Sequence, residues 1–100
     1  MGFQGKVVLV TGASRGIGKA IAQTFVSRGA TVIGTATSES GAAAISEYLG
    51  NAGTGLVLNV TEQSSIDALF ETIKVKFGEV DVLVNNAGIT RDNLLMRMKD

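Results

Sequence analysis

The chain has 100 residues, of which 45% are apolar, and its nine basic residues balance nine acidic ones. This length predicts one small domain that buries roughly 60–65% of its unfolded surface. Balanced charge without a Lys/Arg run disfavours nucleic acid and anionic membranes as partners. Because Cys and His are both absent, Cys/His zinc sites, disulfides, thiol nucleophiles and histidine bases are excluded.

The sequence shows no targeting or membrane segment. Residues 1–6 lead directly into an apolar run, without the apolar core of a signal peptide. No apolar run approaches the ~20 residues that a transmembrane helix needs. Together with the absence of cysteine, this pattern predicts a soluble protein and is compatible with a cytoplasmic location.

Four short apolar runs predict β-strands. They are nearly continuous rather than alternating, which is typical of parallel strands covered by helices on both faces. The runs are residues 7–10, 31–34, 56–58 and 82–84.

Helical periodicity fills the three intervals between these runs. Apolar residues recur every three or four positions, as on the buried face of a helix. The three stripes are Ile17, Ile21 and Phe25; Ile45, Tyr48 and Leu49; and Ile66, Leu69, Phe70, Ile73 and Phe77. A glycine follows each stripe (Gly29, Gly50 and Gly78), where a helix C-cap favours it. Ser38 and Thr61 stand at N-cap positions.

The order β-α-β-α-β-α-β predicts an α/β fold with a doubly wound parallel sheet of the Rossmann-like type. Four strands make up only the N-terminal portion of a dinucleotide-binding sheet. Residues 92–100 begin what the sequence suggests is a further helix. We therefore expect residues 1–100 to be the dinucleotide-binding portion of a single domain that is truncated at its C-terminal end.

A glycine-rich turn at residues 11–18 follows the first predicted strand and precedes the first helix. Its spacing is G-x-x-x-G-x-G, and it predicts a site for the diphosphate of a dinucleotide. In this context Gly12 allows a tight turn, Gly16 lets the backbone approach the diphosphate, and Gly18 lets the helix pack against the strand. Exposed N–H groups and the helix dipole would stabilise the anion. The alternative is a glycine-rich turn without a ligand.

The end of the second strand favours NADP(H) over NAD(H). NAD sites usually place an acid there to accept from the ribose 2′-hydroxyl, whereas residues 34–38 contain none and the first acid is Glu39. Hydroxyl groups can bond a 2′-phosphate that an acid would repel. Arg15 adds a cation to the turn, and a charge-assisted bond of this kind is worth about 1.5–3 kcal/mol. The alternative is that Arg15 is a solvated surface charge.

The glycine turn, together with Asn85-Asn86-Ala87-Gly88 after the fourth strand, resembles the short-chain dehydrogenase/reductase family. The two motifs would lie on either side of the crevice where such sheets bind their cofactor. The resemblance runs over the whole chain. It narrows at residues 12–18, 34–38, 58–61 and 89–98 to the bacterial NADPH-dependent ketoreductases of type II fatty acid synthesis.

The resemblance implies roles for matching positions. Gly12, Ala13, Ser14, Arg15, Gly16, Ile17 and Gly18 would wrap the diphosphate and the adenosine ribose, with Ser14, Arg15 and Thr37 near the 2′-phosphate. Asn59 and Val60 would border the adenine, and the alternative for Asn59 is that it only forms a turn. Asn86, Ala87 and Gly88 would support the sheet and line the nicotinamide-side ribose. Many relatives have Asp at the position of Asn59.

The resemblance also implies what the whole protein does. Such enzymes pass hydride from NADPH to a 3-oxoacyl thioester on acyl carrier protein, and they assemble as homotetramers. A tyrosine donates the proton within a Tyr-x-x-x-Lys signature, with an upstream serine. The only tyrosine here is Tyr48, and Ala52 stands four residues later. We therefore expect no catalytic residue among these 100 and no turnover by the chain alone; a non-catalytic NADP(H)-binding module and a purely structural half-domain are the alternatives.

Overall fold

The computed structural model describes residues 2–14, 16–59 and 62–86. The predicted alternation of strands and helices is confirmed. In chain order the elements are β1 (Val7–Val10), α1 (Gly16–Ser27), β2 (Thr31–Ala36), α2 (Glu39–Leu49), a 3-10 turn (Gly50–Ala52), β3 (Gly53–Val57), α3 (Gln63–Lys76) and β4 (Val82–Val84). The further helix predicted at residues 92–100 lies outside the described residues.

The four strands form one parallel sheet in the order β3-β2-β1-β4. One apolar cluster joins Ala22 of α1 and Ile45 of α2 to one face of the sheet. A second cluster joins Ile66 and Leu69 of α3 to the opposite face. Because α1 follows β1 on one face and α3 leads into β4 from the other, a crevice forms at the carboxyl ends of β1 and β4. The doubly wound α/β fold is thus confirmed.

Strands β2 and β3 depart from the predicted ranges. β2 continues two residues beyond Gly34, and Thr35 pairs with Leu56 of β3. β3 begins at Gly53, three residues before the predicted start. A Cβ on Gly55 would collide with the Ala42 carbonyl and lie 2.7 Å from Ile45 Cβ. Gly55 therefore reflects the close packing of α2 on the sheet, not a turn.

The predicted helix ends are largely confirmed. The Ser38 side chain caps α2 by accepting from the Gly41 N–H, and Gly50 ends α2 with a φ of 56°. Glu62 stands at the N-cap of α3, while Thr61 lies outside the described residues. The predicted inward stripe of α1 is wrong at its first position, because Ile17 is 73% exposed.

Within the described part of the chain, no helix is long and apolar enough to cross a membrane.

We expect Ile45→Ala to lower the free energy of unfolding by about 2–5 kcal/mol, because it removes a fully buried side chain from the packing of α2 on β2 and β3. Val75→Ala is the matched control, since Val75 is 75% exposed on α3 and its truncation should cost less than about 0.5 kcal/mol. Urea unfolding followed by circular dichroism measures both. Similar losses in the two variants would contradict the proposed packing.

Candidate functional site

The glycine turn leaves β1 at the carboxyl edge of the sheet, directly beside the end of β4. The buried Thr11 joins the two strands there. Its N–H donates to the Val84 carbonyl at 3.0 Å, and its hydroxyl donates to Asn85 Oδ1 at 3.1 Å. These bonds therefore fix the start of the turn at the crevice that the strand order creates.

The end of β2 binds the next two N–H groups of the turn. The Gly12 N–H donates to the Thr35 hydroxyl at 3.3 Å, and the Ala13 N–H donates to the Thr35 carbonyl at 2.9 Å. Thr35 is buried. These two N–H groups are thus engaged within the protein, so the expectation that the exposed N–H groups of the turn stabilise an anion is narrowed to residues 14–18.

Asn86 and Gly18 fix the carbonyl side of the turn. Asn86 Nδ2 donates to the Gly12 carbonyl at 3.1 Å. Gly18 lies against the same carbonyl, and a Cβ at this position would collide with it and approach Asn86 Nδ2 to 2.7 Å. The sequence predicts that Gly18 lets the helix pack against the strand, whereas the group that it accommodates is the Gly12 carbonyl of the turn itself.

Tyr48 of α2 contacts the turn from a third side. Its hydroxyl donates to the Ala13 carbonyl at 2.6 Å. The ring packs against the apolar cluster, and Lys19 Nζ lies 5.2 Å from its centroid. Burial raises the pKa of the Tyr48 hydroxyl, because it disfavours the phenolate. The hydroxyl therefore remains a donor at neutral pH.

The sequence placed Tyr48 in the core, which is correct for its ring but misses its hydroxyl. A tyrosine in a buried stripe has a polar tip that needs a hydrogen-bond partner. This requirement is the signal in the sequence that could have indicated a hydrogen bond from the Tyr48 hydroxyl. The partner lies 35 residues away in the chain, and only the fold identifies it.

The turn opens toward the N-terminus of α1. Gly12 and Gly16 both have a φ of 65°, a conformation that glycine adopts without strain. No described atom lies within 4 Å of a Cβ built on Gly16. The first N–H groups of a helix lack intrahelical partners, and α1 has no acid in its first turn. Because its first N–H groups lack intrahelical partners and no acid lies in its first turn, this helix end can accept an anion. The side chain of Ile17 is exposed at the same helix end.

The region after β2 lies next to the turn. Ser14 is half-buried, and its Cβ lies 3.5 Å from the position of a Cβ on Gly41, in the first turn of α2. Thr37 is exposed. The Ser38 hydroxyl accepts from the Gly41 N–H, so part of its capacity serves the helix. Ser14 and Thr37 thus flank one end of α2.

Asn59 follows β3 and shapes a turn. Its N–H donates to the Ser65 hydroxyl at 2.9 Å, and its carbonyl accepts from the Glu62 N–H at 3.2 Å. These bonds agree with the turn-forming role and leave the adenine role a prediction. The remaining predicted site residues, namely Arg15, Val60, Ala87 and Gly88, lie outside the described residues.

We expect Gly18→Ala to lower the free energy of unfolding by about 1–3 kcal/mol, because its Cβ would displace the Gly12 carbonyl or Asn86. Without this collision, alanine would be more favourable than glycine within a helix by about 1 kcal/mol. Ala20→Leu, at an exposed position of α1, adds more bulk and should change the stability by less than about 0.5 kcal/mol. Chemical denaturation compares them, and a stabilised Gly18→Ala variant would contradict the close approach.

Comparison with known proteins gives a consistent result. A family model described as short chain dehydrogenase matches residues 6–100. The chain is 71% identical, over all 100 of its residues, to the 3-oxoacyl-[acyl-carrier-protein] reductases of Escherichia coli and Vibrio harveyi. It is 59% identical, again over its whole length, to the reductase of the same name from Pseudomonas aeruginosa. The chain spans 41–42% of the length of these relatives.

Proposed function

The chain belongs to the short-chain dehydrogenase family, and on that basis we propose that it forms the NADP(H)-binding part of a 3-oxoacyl thioester reductase. The observation that carries the cofactor proposal is the glycine turn, which three other elements hold in place beside the open N-terminus of α1. The names of the relatives support the substrate. The reaction would transfer hydride from NADPH to the 3-keto group and give a 3-hydroxyacyl thioester.

The diphosphate would lie over residues 14–18. Gly12 and Ala13 would shape this surface rather than donate to the phosphates, because their N–H groups already donate to Thr35. The open space at Gly16 allows an anion to approach the backbone. The exposed Ile17 side chain would be covered by the cofactor. Gly18 would hold the start of α1 against the turn.

The 2′-phosphate would lie between the turn and the start of α2, near Ser14, Arg15 and Thr37. Residues 34–38 contain no carboxylate that would repel it. At the other positions, Asn59 and Val60 would border the adenine. Asn86, Ala87 and Gly88 would reach toward the nicotinamide-side ribose, with Asn86 also bonded to the turn.

Proton donation would come from outside these 100 residues. Tyr48 is the only tyrosine, and it is followed by Ala52 rather than by lysine at the fourth position. Its hydroxyl is bonded to Ala13. For the whole protein we propose a cytoplasmic homotetramer that acts on substrates carried by acyl carrier protein.

The absence of a Tyr-x-x-x-Lys pair also favours a second candidate, a module that binds NADP(H) without catalysis. Calorimetry with NADPH and an assay of acetoacetyl-thioester reduction at 340 nm separate the possibilities for the chain as printed. Binding without turnover supports the cofactor-binding role. Turnover would contradict our assignment of catalysis to other residues, and no heat at millimolar NADPH would indicate a purely structural half-domain.

We expect Arg15→Ala to raise the Kd for NADPH about 10- to 150-fold and to leave the Kd for NADH almost unchanged, because the guanidinium would bond only the 2′-phosphate. Arg28→Ala is the matched control. Arg28 is exposed after the other end of α1, about 18 Å along the helix, and its loss should affect neither Kd. Fluorescence titration measures both cofactors. An equal loss of NADPH and NADH affinity would contradict the assignment of Arg15.

A further inference from the structure

Two successive peptide groups of the turn are held by side chains from different elements. A trans peptide directs its carbonyl and its N–H in opposite directions. The peptide between Gly12 and Ala13 illustrates this, since its carbonyl accepts from Asn86 and its N–H donates to Thr35. Both ends of this peptide are therefore fixed by the protein.

The next peptide, between Ala13 and Ser14, is fixed at one end only. Its carbonyl accepts from the Tyr48 hydroxyl at 2.6 Å. The Ser14 N–H must then point away from Tyr48. In the described part of the chain the structure gives this N–H no hydrogen-bond partner. It is the first N–H of the turn that is available to a ligand.

We propose that Tyr48 is a positioning residue that aims the Ser14 N–H at a phosphate group of the dinucleotide. The inference rests on the proposed cofactor. Rotation of this peptide would direct the Ala13 carbonyl, with its partial negative charge, toward the anion. By holding the Ala13 carbonyl, the Tyr48 hydroxyl thus keeps the Ser14 N–H directed at the phosphate. It also keeps the Ala13 carbonyl oxygen away from that anion.

The Tyr48 ring is itself held on two sides. It packs against the apolar cluster between the sheet and the helices, and Lys19 of α1 lies 5.2 Å from the ring centroid. A cation over an aromatic face is attracted to it. Since α1 and α2 both restrain the ring, its hydroxyl has a defined position, and Tyr48→Phe removes the donor while keeping the packing.

We expect Tyr48→Phe to raise the Kd for NADPH about 3- to 12-fold, the effect of one lost hydrogen bond to a preorganised site. Ser46→Ala is a matched control on the same helix. It removes a hydroxyl that accepts from the Gly55 N–H at 2.8 Å and, among the described residues, makes no bond to the turn. The Kd of this variant for NADPH should stay within about twofold of the parent value, although its free energy of unfolding falls because one hydrogen bond is lost.

A second measurement needs no cofactor. The ¹³C shift of the Ala13 carbonyl and the hydrogen exchange of the Ser14 amide should change in Tyr48→Phe and not in Ser46→Ala. An unchanged Kd in Tyr48→Phe would overturn the role of Tyr48. A raised Kd with unchanged Ala13 and Ser14 signals would also overturn it. If the parent chain binds no NADPH, the proposed function itself fails, and that result is distinct from equal binding by parent and variant.

Discussion

The close approach of the Gly12 carbonyl to the start of α1 is the constraint on which the site depends. Gly18 lies where any side chain would collide with that carbonyl, and Asn86 donates to the same oxygen from the end of β4. This contact brings α1 directly over the end of β1. The helix N-terminus consequently faces the crevice at the switch point of the sheet, where ligands of open α/β sheets bind.

The turn owes its shape to the tertiary structure rather than to its own glycines alone. Thr35 of β2 accepts from the Gly12 and Ala13 N–H groups. Asn86, two residues after β4, donates to the Gly12 carbonyl, and Tyr48 of α2 donates to the Ala13 carbonyl. A turn held from three sides loses little further conformational freedom when a ligand binds. The glycines permit the conformation, and the surrounding elements select it.

The sequence predicted the order of the elements, the bounds of β1 and β4, and the position of the turn, because apolar runs and glycine spacing are local signals. It misplaced β3, since Gly53 and Gly55 resemble a loop when their packing against β2 and α2 is unknown. It also placed Ile17 in the core, although this side chain is 73% exposed at the start of α1. The bond from Tyr48 to Ala13 could not be predicted, because it joins residues 35 positions apart.

The central claim is that this turn binds the phosphates of NADP(H). A titration of the ¹⁵N-labelled chain with NADP⁺, followed by ¹H–¹⁵N NMR, tests it most directly. We predict that the largest shifts fall on the amides of residues 14–18, with smaller ones at residue 37 and at residues 59–60. The amides of Gly12 and Ala13 should move little, since Thr35 holds them. Saturating NADP⁺ that shifts no amide of the turn, or shifts only residues elsewhere, would contradict the claim.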